Sequence, residues 1–145
     1  TDARERYQGH QRALAAYHLK ADNRLFFEGD FRETGGSKGL QQLLNSKVPF
    51  SAVVCANDEM ASGALTTARE LGFNVPADFS VVGFDNVNFA YYTYPKLTTI
   101  DYPISAMGQM AARWVLQRVY QQNTGDIQQL FEPHLVSRDS AVRVI

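Results

Sequence analysis

The chain has 145 residues, which is the size of one ordinary folded domain. Apolar residues make up 45% and charged residues 20%, enough for a hydrophobic core beneath a polar surface. The formal net charge is −1, from 14 basic and 15 acidic residues, which argues against a polybasic surface for nucleic acid or anionic lipid within this stretch. Any DNA contact is therefore expected from another part of the protein.

Cysteine usage and apolar runs also narrow the classes of protein. The single Cys55 has no partner for an internal disulfide and lies in an apolar run, where a thiol is expected to pack as a small hydrophobic group. A reducing cytoplasm fits this usage. The sequence contains no apolar run of about 18 residues and no charged-then-apolar leader, so it predicts neither a membrane span nor an export signal.

The first predicted element is a helix. Asp2 and Glu5 form a capping-box pattern at its start. An α/β unit normally feeds such a helix from a strand, and no Met precedes it, so we expect the chain to be the carboxyl-terminal portion of a longer protein. The apolar stripe at spacings of three and four residues consists of Ala3, Tyr7, His10, Leu14 and Tyr17.

The next segments predict alternating strands and helices. Residues 24–28 read as a strand, and Gly35 and Gly36 then lead into a second helix around residues 40–44. A strand over 50–56 is followed by a helix over 58–71, which Gly72 closes.

The strand predicted over 79–84 is almost continuously apolar. Such runs are typical of parallel strands buried on both faces, so we expect helices on both sides of the sheet. An irregular aromatic stretch over 87–95 precedes a short strand over 97–100, a helix over 104–119, and a last strand with a tail within 129–145. The order of elements predicts the α/β class with a parallel sheet.

Two polar turns stand where the two central strands end. Asn57 and Asp58 follow the first of these strands, and Asp85 and Asn86 follow the second. Because the carboxyl ends of parallel strands open onto one crevice, we expect both turns to face one shared ligand, as in a sensor or carrier. Asp58 is expected to cap the following helix. Asn57 either contacts ligand or shapes the turn, and for Asp85 ligand binding is favoured over a turn-forming role.

Four of the candidate side chains suit a hydroxyl-rich ligand. Arg6, Asn57 and Asp85 carry planar groups that hydrogen-bond vicinal hydroxyls, and Phe31 offers an aromatic face for the C–H side of a sugar. The alternatives are a solvated surface position for Arg6 and a core position for Phe31.

The chain carries no recognisable catalytic pattern. It has no Gly-rich phosphate loop, no nucleophile elbow and no Cys/His pair, and the spacing of His10, His18 and His134 is not that of a metal site. The sequence therefore predicts no enzyme, no metal and no cofactor. The tyrosines at 91, 92 and 94 fit a core, a pocket rim or a patch for a partner subunit.

Four ordered motifs closely resemble one family. They are VCANDEMASGA over 54–64, PADFSVVGFDN over 76–86, YPKLTTI over 94–100 and LVSRDS over 135–140. They resemble the carboxyl-terminal part of the effector-binding domain in the LacI/GalR family of bacterial transcriptional repressors. Tyr102 and the following Pro103 and Ile104 are most similar to the galactose-repressor branch.

This resemblance implies a three-layer parallel-sheet fold of the periplasmic-binding-protein-like sensor type, truncated mainly to its second lobe. Residues 1–102 then form the second lobe, 103–130 a crossover segment whose helix belongs to the first lobe, and 131–145 the return strand and tail. A cytoplasmic homodimer is implied, with operator DNA bound only through a headpiece absent from this chain.

The resemblance also implies residue roles. The effector, a hexose such as galactose or a galactoside, is then bound by Arg6, Phe31, Asn57, Asp85 and Tyr102, with Asp2 and Ile104 as weaker additions. The implied dimer contacts are Ala61, Phe89, Tyr92 and Tyr94. The alternative from another class is a periplasmic sugar-binding protein of a transporter, which shares the fold and the polar groups. LVSRDS favours the repressor, and turnover of a sugar would be needed to support an enzyme.

Overall fold

A computed structural model describes residues 2–143. The first helix, α1, spans Asp2–Ala16, so the predicted amino-terminal helix is confirmed. The side chain of Asp2 lies outside the described part of the chain, and its expected capping and ligand roles stay predictions. Tyr17 follows the helix and is largely exposed, so it does not extend the apolar stripe into a core.

The strand predicted over 24–28 is wrong. A short 3-10 helix spans Asn23–Leu25, and the following residues to Asp30 have no regular structure. The local cause is Asp22, whose carboxylate accepts the backbone N–H of Arg24 at 2.9 Å and the guanidinium of Arg24 at 2.6 Å. Such short-range bonds from an Asp side chain compete with an extended ladder and stabilise a turn.

Two helices form one packed layer. Helix α2 spans Glu33–Asn45, helix α3 spans Asp58–Glu70, and the two pack against each other. Gly36 was expected before the helix and is instead its fourth residue. A Cβ at position 36 would collide with the carbonyl of Met60, so this glycine lies at a close approach of the two helix backbones.

The sheet is mixed. Its strands are β1 Ala52–Val54, β2 Ser80–Asp85, β3 Thr98–Asp101 and β4 His134–Val136, in the spatial order β1-β2-β3-β4. The first three strands are parallel, and β4 runs antiparallel to β3. The predicted α/β class is confirmed, while an entirely parallel sheet is not.

The core lies between the sheet and its helical layer. Helix α3 packs on β2, and α2 covers α3. Val54 on β1 is 57% exposed, so this face of the edge strand lacks the helical cover that was expected. The buried apolar residues are Leu40, Val53, Cys55, Met60, Ala61, Ala64, Leu65, Ala68, Phe79, Val81, Ala90 and Leu97.

Helix α4, Ile104–Tyr120, stands apart from this core. It confirms the predicted amphipathic helix, yet none of its residues is buried. Its exposed large apolar side chains include Ile104, Trp114, Val115 and Val119. Within residues 2–143, no helix combines the length and the apolar character that crossing a membrane would require.

Candidate ligand-binding site

The two polar turns lie at the same edge of the sheet. Strand β2 ends at Asp85, and β1 is followed within three residues by Asn57. The parallel register pairs Val54 with Val82, so both strands point their carboxyl ends the same way. The predicted convergence of the two turns on one side of the sheet is therefore present in the structure.

Arg6 reaches this edge from α1. Its guanidinium donates a hydrogen bond to the carbonyl of Ala56, and its Nη2 lies 3.7 Å from Oδ1 of Asp85. Its Cζ stands 3.9 Å from the centre of the Phe84 ring, a cation–π distance. Arg6 thus holds both strand ends together, in contrast to the solvated surface position that its place on the helix also allowed.

An aromatic pair lies beside the ion pair. The rings of Phe84 and Tyr102 are 5.8 Å apart and tilted by 51°. Tyr102 was predicted from the family resemblance, but Phe84 was missed as a site residue. Its signal in the sequence is weak, because it looks like one more apolar residue of a buried strand and only its place beside Asp85 distinguishes it.

The turn that carries Asp85 has an unusual backbone. The φ angles of Asp85 and Asn86 are 110° and 51°, a region that side chains with a Cβ rarely adopt. Burial raises the pKa of the Asp85 carboxyl, the neighbouring Arg6 opposes this rise, and the nearby carboxylates of Asp58 and Glu59 add to it. Backbone strain and a perturbed carboxyl together are typical of a functional site.

Asn57 caps the helix, and the expectation that Asp58 is the cap is wrong. Asn57 has an extended backbone, and its Oδ1 accepts the N–H of Met60 at 3.0 Å. Its Nδ2 donates to the carbonyl of Phe31 at 2.9 Å, and the residue is only 8% exposed. The cap falls on the residue that keeps an extended conformation, which leaves Asp58 already inside the helix.

The remaining ligand candidates are spread around this edge. Phe31 is 39% exposed, has a φ of 62° and is linked to the site through its bond from Asn57. Ile104 is exposed at the start of α4. The structure thus joins Arg6 and Asp85 directly and brings in Phe31 through the cap.

Asp58 is fully buried beneath the turn that carries Asp85 and Asn86. Its Oδ2 accepts the backbone N–H of Val87 at 2.9 Å, and its Oδ1 accepts the hydroxyl of Thr99 at 2.5 Å. Burial raises the pKa of this carboxyl, and these two hydrogen bonds and the charge of Arg138 oppose the rise. No pattern in the sequence indicates that this carboxylate faces inward.

The last sequence motif ties the final segment to the site. Arg138 donates to the carbonyl of Leu97 at 2.7 Å and to Oδ1 of Asn86 at 2.6 Å. The amide of Asn86 also donates to Asp101 at 2.8 Å. An amide satisfies both neighbours because it offers an acceptor to Arg138 and a donor to Asp101, which a carboxylate does not.

The candidate dimer residues differ in exposure. Tyr92 and Tyr94 are 81% and 87% exposed and Phe89 is 37% exposed, all in or beside the short 3-10 helix Asn88–Tyr91. Ala61 has no exposed area and lies in the core on α3. The three aromatic residues form an exposed surface, which we call the aromatic patch, and Ala61 contributes only to packing inside the chain.

The thiol of Cys55 is part of the core. Cys55 is buried, and burial, with a smaller contribution from Asp58, raises the pKa of its thiol to about 12. This confirms its expected role as a small hydrophobic group. In the described range 2–143, no three His, Cys, Asp or Glu side chains are grouped so that they could hold a metal ion.

A guanidinium, a carboxylate and aromatic rings at the carboxyl edge of a mainly parallel sheet are typical of α/β domains that bind small molecules. The particular family follows from comparison. The family described as periplasmic binding protein-like domain matches residues 1–141. The chain belongs to this family, and over nearly its whole length it is similar to transcriptional regulators that include members of the LacI family.

The relatives are regulators and not enzymes. The HTH-type transcriptional regulator GalR of Salmonella typhimurium is 39% identical over 140 residues, which are 97% of this chain and 41% of that protein. The HTH-type transcriptional repressor PurR of Photorhabdus laumondii is 41% identical over 139 residues, 94% of this chain and 40% of that protein. The chain thus spans about two fifths of the length of these relatives.

A solved structure supports the fold. The LacI family transcriptional regulator of Enterococcus faecium with bound ribose superposes with a TM-score of 0.84 at 30% identity. The match covers 95% of this chain and 51% of that structure.

Proposed function

We propose that this chain is the effector-binding and dimerisation portion of a sugar-responsive transcriptional repressor. The proposed effector is a hexose such as galactose or a galactoside. In the intact protein, residues 1–102 form most of the second lobe, the segment 103–130 crosses to the first lobe, and 131–145 return as a strand and tail. The exposed apolar side chains of α4 support this division, because they find no cover within the described part of this chain.

The chemistry of the site supports a polyhydroxylated ligand. The Arg6 guanidinium offers planar donors and Asp85 offers acceptors, and hydrogen bonds between hydroxyls and charged groups are stronger than neutral ones. Phe31 and Tyr102 supply apolar faces for the C–H side of a sugar ring. Asn57 completes the set at the other strand end, with its amide already held in place.

The observation that carries the proposal is the meeting of Arg6, Asp85 and Phe84 at one strand end. Similarity to HTH-type regulators favours a repressor over a periplasmic transport protein. A hexose is chosen over a purine because the Arg6–Asp85 pair offers hydrogen-bond donors and acceptors that suit vicinal hydroxyls.

Regulation follows from differential binding. The effector binds between two lobes and prefers one of their relative arrangements, since equal affinity for both would shift nothing. The changed lobe angle alters how a homodimer, joined partly through the aromatic patch, presents its headpieces to operator DNA. A protein with this task works in the cytoplasm.

The test of the effector class is calorimetric titration of the intact protein. Galactose, a methyl galactoside, glucose, ribose, hypoxanthine and guanine are titrated separately under the same conditions. We expect heat of binding with galactose or the galactoside. Binding of hypoxanthine or guanine alone would contradict the proposed sugar effector.

Asp85→Ala tests the role of the carboxylate in the same titration. The substitution should weaken binding of the effector by about 1–3 kcal/mol, the size of a lost hydrogen bond to a charged group. Asp126→Ala removes an exposed carboxylate far along the chain and serves as the matched control. Equal affinity in the two variants would return Asp85 to the role of a turn former.

A further inference from the structure

We propose that Asp58 is a positioning residue that holds the turn of residues 85–87 in the conformation that presents Asp85 to the effector. This inference rests on the proposed function only in assuming that Asp85 contacts an effector. Holding the turn is a property of this chain, and it can be measured without any ligand.

Asp58 connects three elements through one carboxylate. It stands in the first turn of α3 and has no exposed area. One oxygen accepts the N–H of Val87, directly after the turn, and the other accepts the hydroxyl of Thr99 on β3. Both oxygens of a fully buried charged group are thus engaged, which is the condition under which such a group is stable inside a protein.

The turn needs such support. Asp85 and Asn86 both have positive φ angles, and neither is glycine. Two consecutive residues in this region are unfavourable and persist only when surrounding contacts hold them. The bond from Val87 to Asp58 pins the residue that follows them, and the backbone N–H of Asn86 lies 3.4 Å from the same Thr99 hydroxyl oxygen.

The neighbouring strand leaves space for this carboxylate. Gly83 lies on β2 opposite Thr99 in the register, and a Cβ at position 83 would collide with Oδ1 of Asp58. The strand therefore carries a residue without a side chain where the carboxylate passes. Strand β2, helix α3 and the turn of residues 85–87 thus all contact or leave room for the buried Asp58 carboxylate.

Position 87 also leads into the aromatic patch. Val87 is the cap residue of the 3-10 helix Asn88–Tyr91, which carries Phe89. Asp58 thus contacts Val87, the residue that connects the turn of Asp85 and Asn86 to the segment proposed to meet a second subunit. The same hydrogen bond that positions the effector-facing carboxylate also positions the start of this segment.

The experiment compares three threonine variants of this chain by NMR. Thr99→Val removes the hydroxyl that Asp58 accepts, and Thr99→Ser keeps it. Thr67→Val is the matched control, because Thr67 is also buried and donates to a side chain, Ser37, at 2.7 Å, away from the turn. Amide hydrogen exchange of Val87 is measured in each, together with exchange of core amides in α3 to report global opening.

In Thr99→Val we expect the exchange of Val87 to accelerate by about tenfold or more beyond any change in the core amides, as for one lost charge-assisted hydrogen bond. Thr99→Ser should restore the slow exchange, and Thr67→Val should change Val87 only as much as it changes the core. Asp58→Asn is a second variant, expected to act like Thr99→Val. Equal Val87 exchange in Thr99→Val and Thr67→Val would overturn the proposal.

Galactose titration of the intact protein separates this inference from the proposed function. If wild type binds galactose, Thr99→Val should weaken binding by about tenfold, and Thr67→Val should not. If wild type binds none of the sugars, the proposed effector is wrong, while the exchange of Val87 still decides whether Asp58 holds the turn.

Discussion

Asp85 combines a half-buried carboxylate with a backbone angle that disfavours most residues. A group in this setting reduces stability when ionised, because burial penalises the charge more than Arg6 offsets it. Retention of such a residue at a strand end is typical of sites where binding is favoured over stability. Arg6, which faces Asp85, contacts three groups: the carbonyl of Ala56, the Asp85 carboxylate and the ring of Phe84.

The stability of the chain is expected to depend on pH through Asp85. The folded-state pKa of Asp85 is raised above the ordinary value of 3.8, so its contribution to stability is fully present below that value and is lost as the pH rises through the folded pKa. Asp85→Asn prevents this loss of stability, because an amide does not ionise as the pH rises. Urea unfolding should show the variant more stable than wild type at pH 7, with the difference shrinking as the pH falls towards 3.8.

The control for this prediction is Asp126→Asn, which changes an exposed carboxylate. Its unfolding free energy should follow wild type across the same pH range. A Asp85→Asn variant that is less stable than wild type at pH 7 would show that the Arg6 ion pair outweighs the cost of burial.

At the scale of elements, the contact between α2 and α3 depends on two small residues. Gly36 meets the carbonyl of Met60, and Gly63 meets the carbonyl of Glu33, so each helix presents a glycine to the backbone of the other. Unlike side chains, these backbone carbonyls cannot change rotamer to make room for a Cβ. The helices therefore pack closely only because both positions lack a Cβ.

Gly63→Ala should destabilise this chain by about 1–3 kcal/mol through overpacking. Gly108→Ala is the matched change in α4, where the added Cβ would meet no atom within 4 Å apart from its chain neighbours and the helix's own backbone. That variant should stabilise its helix by up to about 1 kcal/mol, because alanine is the better helix former. Urea unfolding followed by circular dichroism measures both, and a loss of stability in Gly108→Ala similar to that in Gly63→Ala would contradict the packing explanation.

At the scale of the whole molecule, the described residues 2–143 include apolar surfaces that are open to solvent. One is the exposed side of α4, which the proposed lobe arrangement covers within the intact protein, and another is the aromatic patch. Exposed aromatic clusters on globular proteins commonly mark contact surfaces. The patch also begins at Phe89, two residues after the turn that Asp58 holds, so site and surface share a short segment of chain.

Tyr92→Glu in the intact protein tests the patch. A charge placed at the centre of an apolar contact should raise the dimer dissociation constant by about tenfold or more in sedimentation equilibrium. Tyr17→Glu is the control, since Tyr17 is 79% exposed and lies beyond α1, away from the patch. Dimerisation that is unchanged by Tyr92→Glu would place the subunit contact elsewhere.

Local patterns predicted most of the helices and strands of this chain. The helices near 58–71 and 104–119 were recognised from apolar periodicity, and the strand near 79–84 from its apolar run. The prediction of a strand over 24–28 was wrong because the side chain of Asp22 accepts a hydrogen bond from the backbone N–H of Arg24, two residues later, and this bond stabilises a turn over an extended strand. Gly35 and Gly36 were expected before the second helix but lie within it, because the glycine at position 36 serves a contact with Met60 on a helix distant in sequence.

The sequence by itself determined the α/β class, the family resemblance, and the edge of the sheet at which polar groups gather, because these depend on periodicity and on the residues that follow each strand. Tertiary structure alone decided that Asn57 caps while Asp58 turns inward, and that Arg6 meets Asp85 from another element. The physical reason is that burial and hydrogen-bond partners are set by residues distant in sequence. An identical Asn-Asp pair has two possible assignments until Val87 and Thr99 are placed beside it.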